Sequence, residues 1–175
     1  MQPIKLSSEK VYQSRTFALY REIFQKDDRQ ISVDIVRHRG AVGILPIQDK
    51  EVILERQFRY SLNAWILEIP AGTLEEGESD EGCARRELAE ETGYSVDKLV
   101  KIGQIAATPG YDDEIIRLFV AWVSEKPATQ HLDQDEVINV VKVRGEELLE
   151  KIKRGEVFDG KTVVASLLAK ELGYL

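Results

Sequence analysis

A run of 23 residues, Gly72–Tyr94, constrains this chain most: it holds Gly72, Glu78, Arg86, Glu87, Glu90, Glu91 and Gly93. Ser79–Thr92 reads as a helix, with Ser79 and Asp80 as caps and Gly93 suited to a left-handed stop. On such a helix residues 87 and 91 lie about 40° apart, and residue 90 about 60° to the other side of 87. Three carboxylates therefore share one face, while Ala84 and Leu88 on the adjoining face can anchor the helix to a core. The arrangement is costly. Like charges three or four residues apart destabilise a helix by about 0.2–0.5 kcal/mol per pair. Acids at the C-terminal end oppose the helix dipole by about 0.3–1 kcal/mol each. A merely solvated acidic face explains neither cost. Divalent cations would remove both, and Mg²⁺ suits best because it takes oxygen ligands and keeps waters and substrate phosphates.

The rest of the chain bounds the answer. Its 175 residues suffice for a sizeable core, and a net charge of −7 disfavours broad electrostatic binding to nucleic acid. The longest apolar run, about Ala41–Ile47, is far too short to span a membrane, so no membrane partner is expected. Met1–Lys5 carries no signal-peptide pattern, and Cys83 is the only cysteine. No intrachain disulfide can form, and a reducing cytoplasm is the expected compartment.

Short β-compatible runs fill Thr16–Phe24, Gln30–His38, Ala41–Ile47, Glu51–Tyr60 and Ala64–Ile69, with turns at Asp27-Asp28 and Gln48-Asp49-Lys50. Pro70-Ala71-Gly72 ends that series. Beyond the glutamate helix come strands at Leu99–Ala107, Glu114–Ser124 and Val137–Val143, then helices at Glu146–Lys153 and Lys161–Glu171. The order predicts an α+β fold with a mixed sheet flanked by helices. The first forty residues read as a separate strand layer ahead of a domain spanning 41–175.

The pattern Gly72-x5-Glu78-x7-Arg86-Glu87-Leu88-x-Glu90-Glu91-x-Gly93 resembles the signature box of the Nudix hydrolases, with every invariant position filled. Tyr94 replaces a bulky aliphatic residue, a mild departure. The resemblance implies an α/β/α sandwich that cleaves a nucleoside diphosphate linked to another group. It also implies that Glu87 and Glu91 ligate metal, with Glu90 in the same catalytic cluster and the Ala71 carbonyl completing the site. Glu78 and Arg86 would form a structural ion pair, since only a folded-back loop brings Glu78 to the helix.

Features outside the box resemble the ADP-ribose pyrophosphatase subfamily. Pro109 lies fifteen residues beyond Tyr94, within Thr108-Pro109-Gly110-Tyr111-Asp112-Asp113-Glu114. Glu55-Arg56-Gln57-Phe58-Arg59-Tyr60 and Leu67-Glu68-Ile69-Pro70-Ala71-Gly72 match its upstream segments. The implied substrate contacts are Arg59, Arg56, Glu68, Pro109, Gly110, Tyr111 and Glu114. A guanidinium suits a pyrophosphate because its planar fork can bond phosphate oxygens in pairs. Arg59 is preferred to Arg56, which alternation places on the opposite strand face. Phe17, Tyr20, Arg37 and Arg39 are candidates for completing a partner subunit's pocket.

The resemblance thus implies Mg²⁺-dependent hydrolysis of ADP-ribose to AMP and ribose 5-phosphate by a homodimer, with Mn²⁺ a possible substitute. The water's proton would go to an acid in the loop Asp133-Gln134-Asp135-Glu136, with Glu136 first and Asp135 second. Two rival readings stand beside it. One is a pyrophosphatase for another nucleotide sugar, such as GDP-mannose. The other is a non-catalytic ligand sensor, which the intact glutamate set argues against.

Overall fold

The computed structural model describes residues 2–124, 129–132 and 137–175. Two compact units emerge: Met1–Gly40 with Ala106–Ile115, and Ala41–Ile105 with Ile116–Leu175.

In the first unit, β1 (Ile4–Gln13), β2 (Phe17–Lys26) and β3 (Arg29–His38) form an antiparallel sheet in that order. The turn between β2 and β3 falls at Asp27-Asp28, where Asp27 takes a positive φ of 54°, a conformation a short polar side chain tolerates. All ten residues of β1 are exposed. The segment from Ala106 to Ile115 docks on β3: the Val36 amide donates to the Tyr111 carbonyl at 2.8 Å and the Asp113 amide to the Val36 carbonyl at 3.2 Å.

The second unit holds a seven-stranded mixed sheet. Its strands are β4 (Ala41–Gln48), β5 (Glu51–Arg59), β6 (Ala64–Glu68), β7 (Ala71–Thr73), β8 (Val96–Ala106), β9 (Ile115–Val123) and β10 (Ile138–Arg144). The main path runs β10-β5-β4-β9-β8, with β6 on β5 and β7 on β4. β4 and β9 are parallel; the other registered pairs are antiparallel. Three helices follow the sequence reading: α1 (Asp80–Thr92), α2 (Gly145–Lys153) and α3 (Gly160–Glu171). Strand alternation explains the layers. Leu45, Ile47, Val52 and Leu54 pack with Leu148 of α2 and Ala165 and Ala169 of α3. Val42, Ile44 and Ile53 pack with Cys83, Ala84 and Leu88 of α1. The sheet therefore sits between α1 and the α2–α3 pair, the sandwich expected.

β7 lies where the sequence pattern ended the strands. Its three residues pair with Ala41–Gly43, some thirty positions upstream, and so short a strand carries no alternation of its own. The pairing fixes Ala71 and Gly72 beside the start of β4.

Candidate active site

α1 begins as its sequence dictates. Ser79 caps it by accepting a hydrogen bond from the Gly82 amide at 3.1 Å, and Gly93 closes it at φ 73°. Cys83, Ala84 and Leu88 are buried against the sheet, which turns the charged face of the helix toward the loop before it.

Arg86 gathers the acids of that face. Its Nε and Nη2 fork onto Glu78 at 2.9 and 2.8 Å, while Nη1 donates to Glu87 at 2.8 Å and to Glu90 at 3.1 Å. The Arg86 hydrogen bond holds the Glu78 carboxyl down at about 2, and these same acids raise the arginine's own pKa. The loop therefore folds back onto the helix as the Glu78–Arg86 pairing requires. Cys83 lies beneath, its thiol pushed up to about 12 chiefly by burial, which makes it inert at neutral pH.

Glu91 is 3% exposed, and one of its carboxylate oxygens accepts from the Ala71 amide at 2.9 Å. Gly72 serves close approach: a Cβ there would stand 1.8 Å from Glu87 Cδ, so any side chain would displace that carboxylate. Ala71, Gly72, Glu87 and Glu91 thus converge where β7 meets α1, with Glu90 more open on the same helix. Every donor is an oxygen, the set a hard divalent cation takes. Among the described residues no three acidic, histidine or cysteine side chains already form a ready cage; the carboxylates are held by Arg86 and by backbone.

A second cluster stands at the ends of β5 and β6. Arg59 forks onto Glu68 through Nε at 2.8 Å and Nη2 at 2.6 Å. Glu68 is 1% exposed and also accepts from Lys161 at the start of α3. Lys161 in turn pairs with Asp159, the α3 cap, at 3.2 Å. Burial opposes the charge on Arg59, but the bonds and field of Glu68, helped by Asp159 and Glu91, outweigh it and raise its pKa. The Thr162 hydroxyl accepts from the Ile69 amide at 2.8 Å, so the start of α3 grips the strand end leading into Pro70 and Ala71.

Sequence reasoning missed Lys161, although a signal was present. A lysine at the second position of a helix opposes the dipole, the same kind of cost that drew attention to Glu90 and Glu91.

Arg56 is placed apart from the glutamates. Its guanidinium lies 5.3 Å from the Trp65 ring centroid, in a cavity of about 500 Å³ lined also by Leu67, Lys142 and Phe158 but by no acid of α1. The Thr108–Glu114 loop belongs to the first unit. The Tyr111 and Asp112 amides donate to the Thr108 carbonyl, so Pro109 and Gly110 form a tight turn and Tyr111 is exposed. Glu114 stands 3.3 Å from His38 Nδ1. Arg37 is engaged by Glu22 at 2.7 Å and Asp113 at 2.9 Å, its two carboxylate partners in that unit. Glu136 and Asp135 lie outside the described residues.

Residues 37–164 match the NUDIX domain family. The chain belongs to the Nudix hydrolase family. It is 39% identical over 163 residues to an ADP-ribose pyrophosphatase of Bacillus subtilis, covering 91% of this chain and 88% of that one. It is 37% identical, with the same coverage, to a methanol dehydrogenase activator of Bacillus methanolicus. A GDP-mannose pyrophosphatase of Shigella flexneri is 32% identical over 93% of both chains. A solved ADP compounds hydrolase superposes with a TM-score of 0.83 at 24% identity over 100% of this chain and 98% of its own, a likeness of fold. The chain is thus a Nudix enzyme, of a family that generally uses divalent metal ions. No helix among the described residues is long and apolar enough to cross a membrane.

Proposed function

We propose that this enzyme hydrolyses ADP-ribose to AMP and ribose 5-phosphate with Mg²⁺, as a cytoplasmic homodimer. The observation that carries the reading is the convergence of Glu87 and Glu91 of α1 on β7, where Gly72 gives Glu87 its room and the Ala71 amide bonds Glu91. The 39% identity to an ADP-ribose pyrophosphatase supports the substrate.

Glu87, Glu91 and the Ala71 carbonyl would hold Mg²⁺, with Glu90 beside them. A divalent cation held there would supply charge to offset the diphosphate and would lower the pKa of a bound water. Arg59 uses Nε and Nη2 on Glu68, and among the described residues its Nη1 makes no hydrogen bond, so that edge is available to a phosphate oxygen. Glu136, or as second choice Asp135, takes the proton from water onto a carboxylate oxygen. Pro109, Gly110, Tyr111 and Glu114 are further substrate contacts, and Arg56, set apart from the glutamates, is the weakest. The dimer reading is supported by β1, an edge strand exposed along its whole length with Ile4, Leu6, Val11 and Tyr12 in the open. A dimeric mass at micromolar concentration is expected from light scattering, and a fully active monomer would contradict it.

The test of substrate is a panel of ADP-ribose and GDP-mannose with Mg²⁺ and product identification. AMP and ribose 5-phosphate, formed with the higher kcat/KM, support the proposal. Preference for GDP-mannose moves the enzyme to the specificity of its 32% relatives.

A further inference from the structure

We propose that Lys161 is a positioning residue for substrate: it keeps the acids behind Arg59 from cancelling the charge that Arg59 offers to phosphate. The proposal rests on the reading of Arg59 as the phosphate ligand.

Four charges alternate in a row, Arg59, Glu68, Lys161 and Asp159. Arg59 is the most exposed member: the side chains are 39% exposed at Arg59, 1% at Glu68, 9% at Lys161 and 17% at Asp159. Taken alone the row of four is neutral, with its cationic end toward solvent, while Glu55, also buried, stands opposite Glu68 in the β5–β6 register. Without Lys161 the row would carry Arg59 against two carboxylates, one of them fully buried. The net charge would be −1, and Arg59 would be drawn inward. An incoming diphosphate would meet one more unit of negative charge than it meets with Lys161 in place.

The position of Lys161 argues for a purpose beyond stability. It stands at the second residue of α3, where the helix dipole disfavours a cation, and it is almost fully buried, where an ammonium is costly unless paired. Replacing a buried ion pair by apolar groups is often neutral for stability or better. Stability alone therefore gives little reason for a lysine here, whereas charge balance behind a phosphate ligand does.

The test is steady-state kinetics of the full-length enzyme on ADP-ribose with Mg²⁺, alongside thermal melting. Lys161→Met should raise KM about tenfold and leave kcat within about threefold, the signature of lost binding without lost chemistry. Adding Asp159→Asn should bring KM back to within about threefold of wild type, because the row is neutral again while the amide oxygen can still cap Thr162. Asp159→Asn alone should lower KM about threefold, since the row then carries +1. This variant keeps the proposal testable if Lys161→Met does not fold. An unchanged KM in Lys161→Met, a loss confined to kcat and melting temperature, or no recovery in the double variant would overturn the proposal. So would an unchanged or raised KM in Asp159→Asn alone. Arg59→Ala separates the two readings. If it leaves KM unchanged, the phosphate assignment itself fails. If it raises KM while Lys161→Met does not, only the positioning role fails.

Discussion

Arg86 and Arg59 each fork onto a glutamate, but the chain builds the two clusters differently. Arg86 meets Glu78, Glu87 and Glu90 within the stretch 78–90, through one helix and the loop before it. Arg59 meets Glu68 across a hairpin, and Glu68 meets Lys161 from 93 residues away. The first cluster is set by local spacing and forms wherever the loop and helix form. The second exists only once β5, β6 and α3 have assembled. On the proposed reading, catalytic chemistry rests on a local motif and substrate binding on tertiary structure, a division that would let affinity be tuned without disturbing the carboxylate face.

The division can be broken at the local end first. Glu87→Gln or Glu91→Gln should lower kcat by on the order of 10³-fold, because a metal site contributes several kcal/mol to the transition state. Circular dichroism should show the fold intact. Arg86 offsets the repulsion between Glu87 and Glu90, so the melting temperature of Glu87→Gln should barely move. Turnover close to wild type in both variants would end the metal assignment.

Next in size is the base. Glu136→Gln should lower kcat by about 10²–10⁴-fold with little change in KM, the usual range for loss of a general base. If Asp135→Asn loses activity instead, the role moves by one residue. If Asp133→Asn does so, it moves further along the loop, and if none of the three does, the base lies within α1.

The smallest effect concerns stability rather than rate. Glu78 is held at about 2 against an ordinary 4.5. A depressed carboxyl contributes stability that is fully present above about pH 4.5 and is lost as pH falls toward about 2. Glu78→Gln should therefore flatten the acid limb of a pH–melting curve in that window and cost stability at pH 7. An unchanged acid limb would mean that the pair with Arg86 contributes nothing to folding.

What could be read from sequence follows the same division. α1, its Ser79 cap, its Gly93 stop and the Glu78–Arg86 pair were legible because each depends on neighbours within a few turns. The two-layer packing was legible from alternation in β4 and β5. β7 was not, because three residues have no period. The bond between Arg59 and Glu68 was not either, since the β5–β6 register places Glu68 opposite Glu55 and Arg59 opposite Ala64, so the two side chains meet diagonally. Lys161 was hidden for a related reason: an isolated lysine usually reads as a solvated surface group, and only the packing of α3 against the β6 end reveals its burial.

The most direct test of the account is phosphorus NMR of ADP-ribose turnover with Mg²⁺, before and after chelation. The account predicts that the diphosphate resonances give way to those of AMP and ribose 5-phosphate, that chelation stops the conversion, and that added Mg²⁺ restores it. Undiminished turnover in excess chelator, or no turnover of ADP-ribose where GDP-mannose is cleaved, would contradict it.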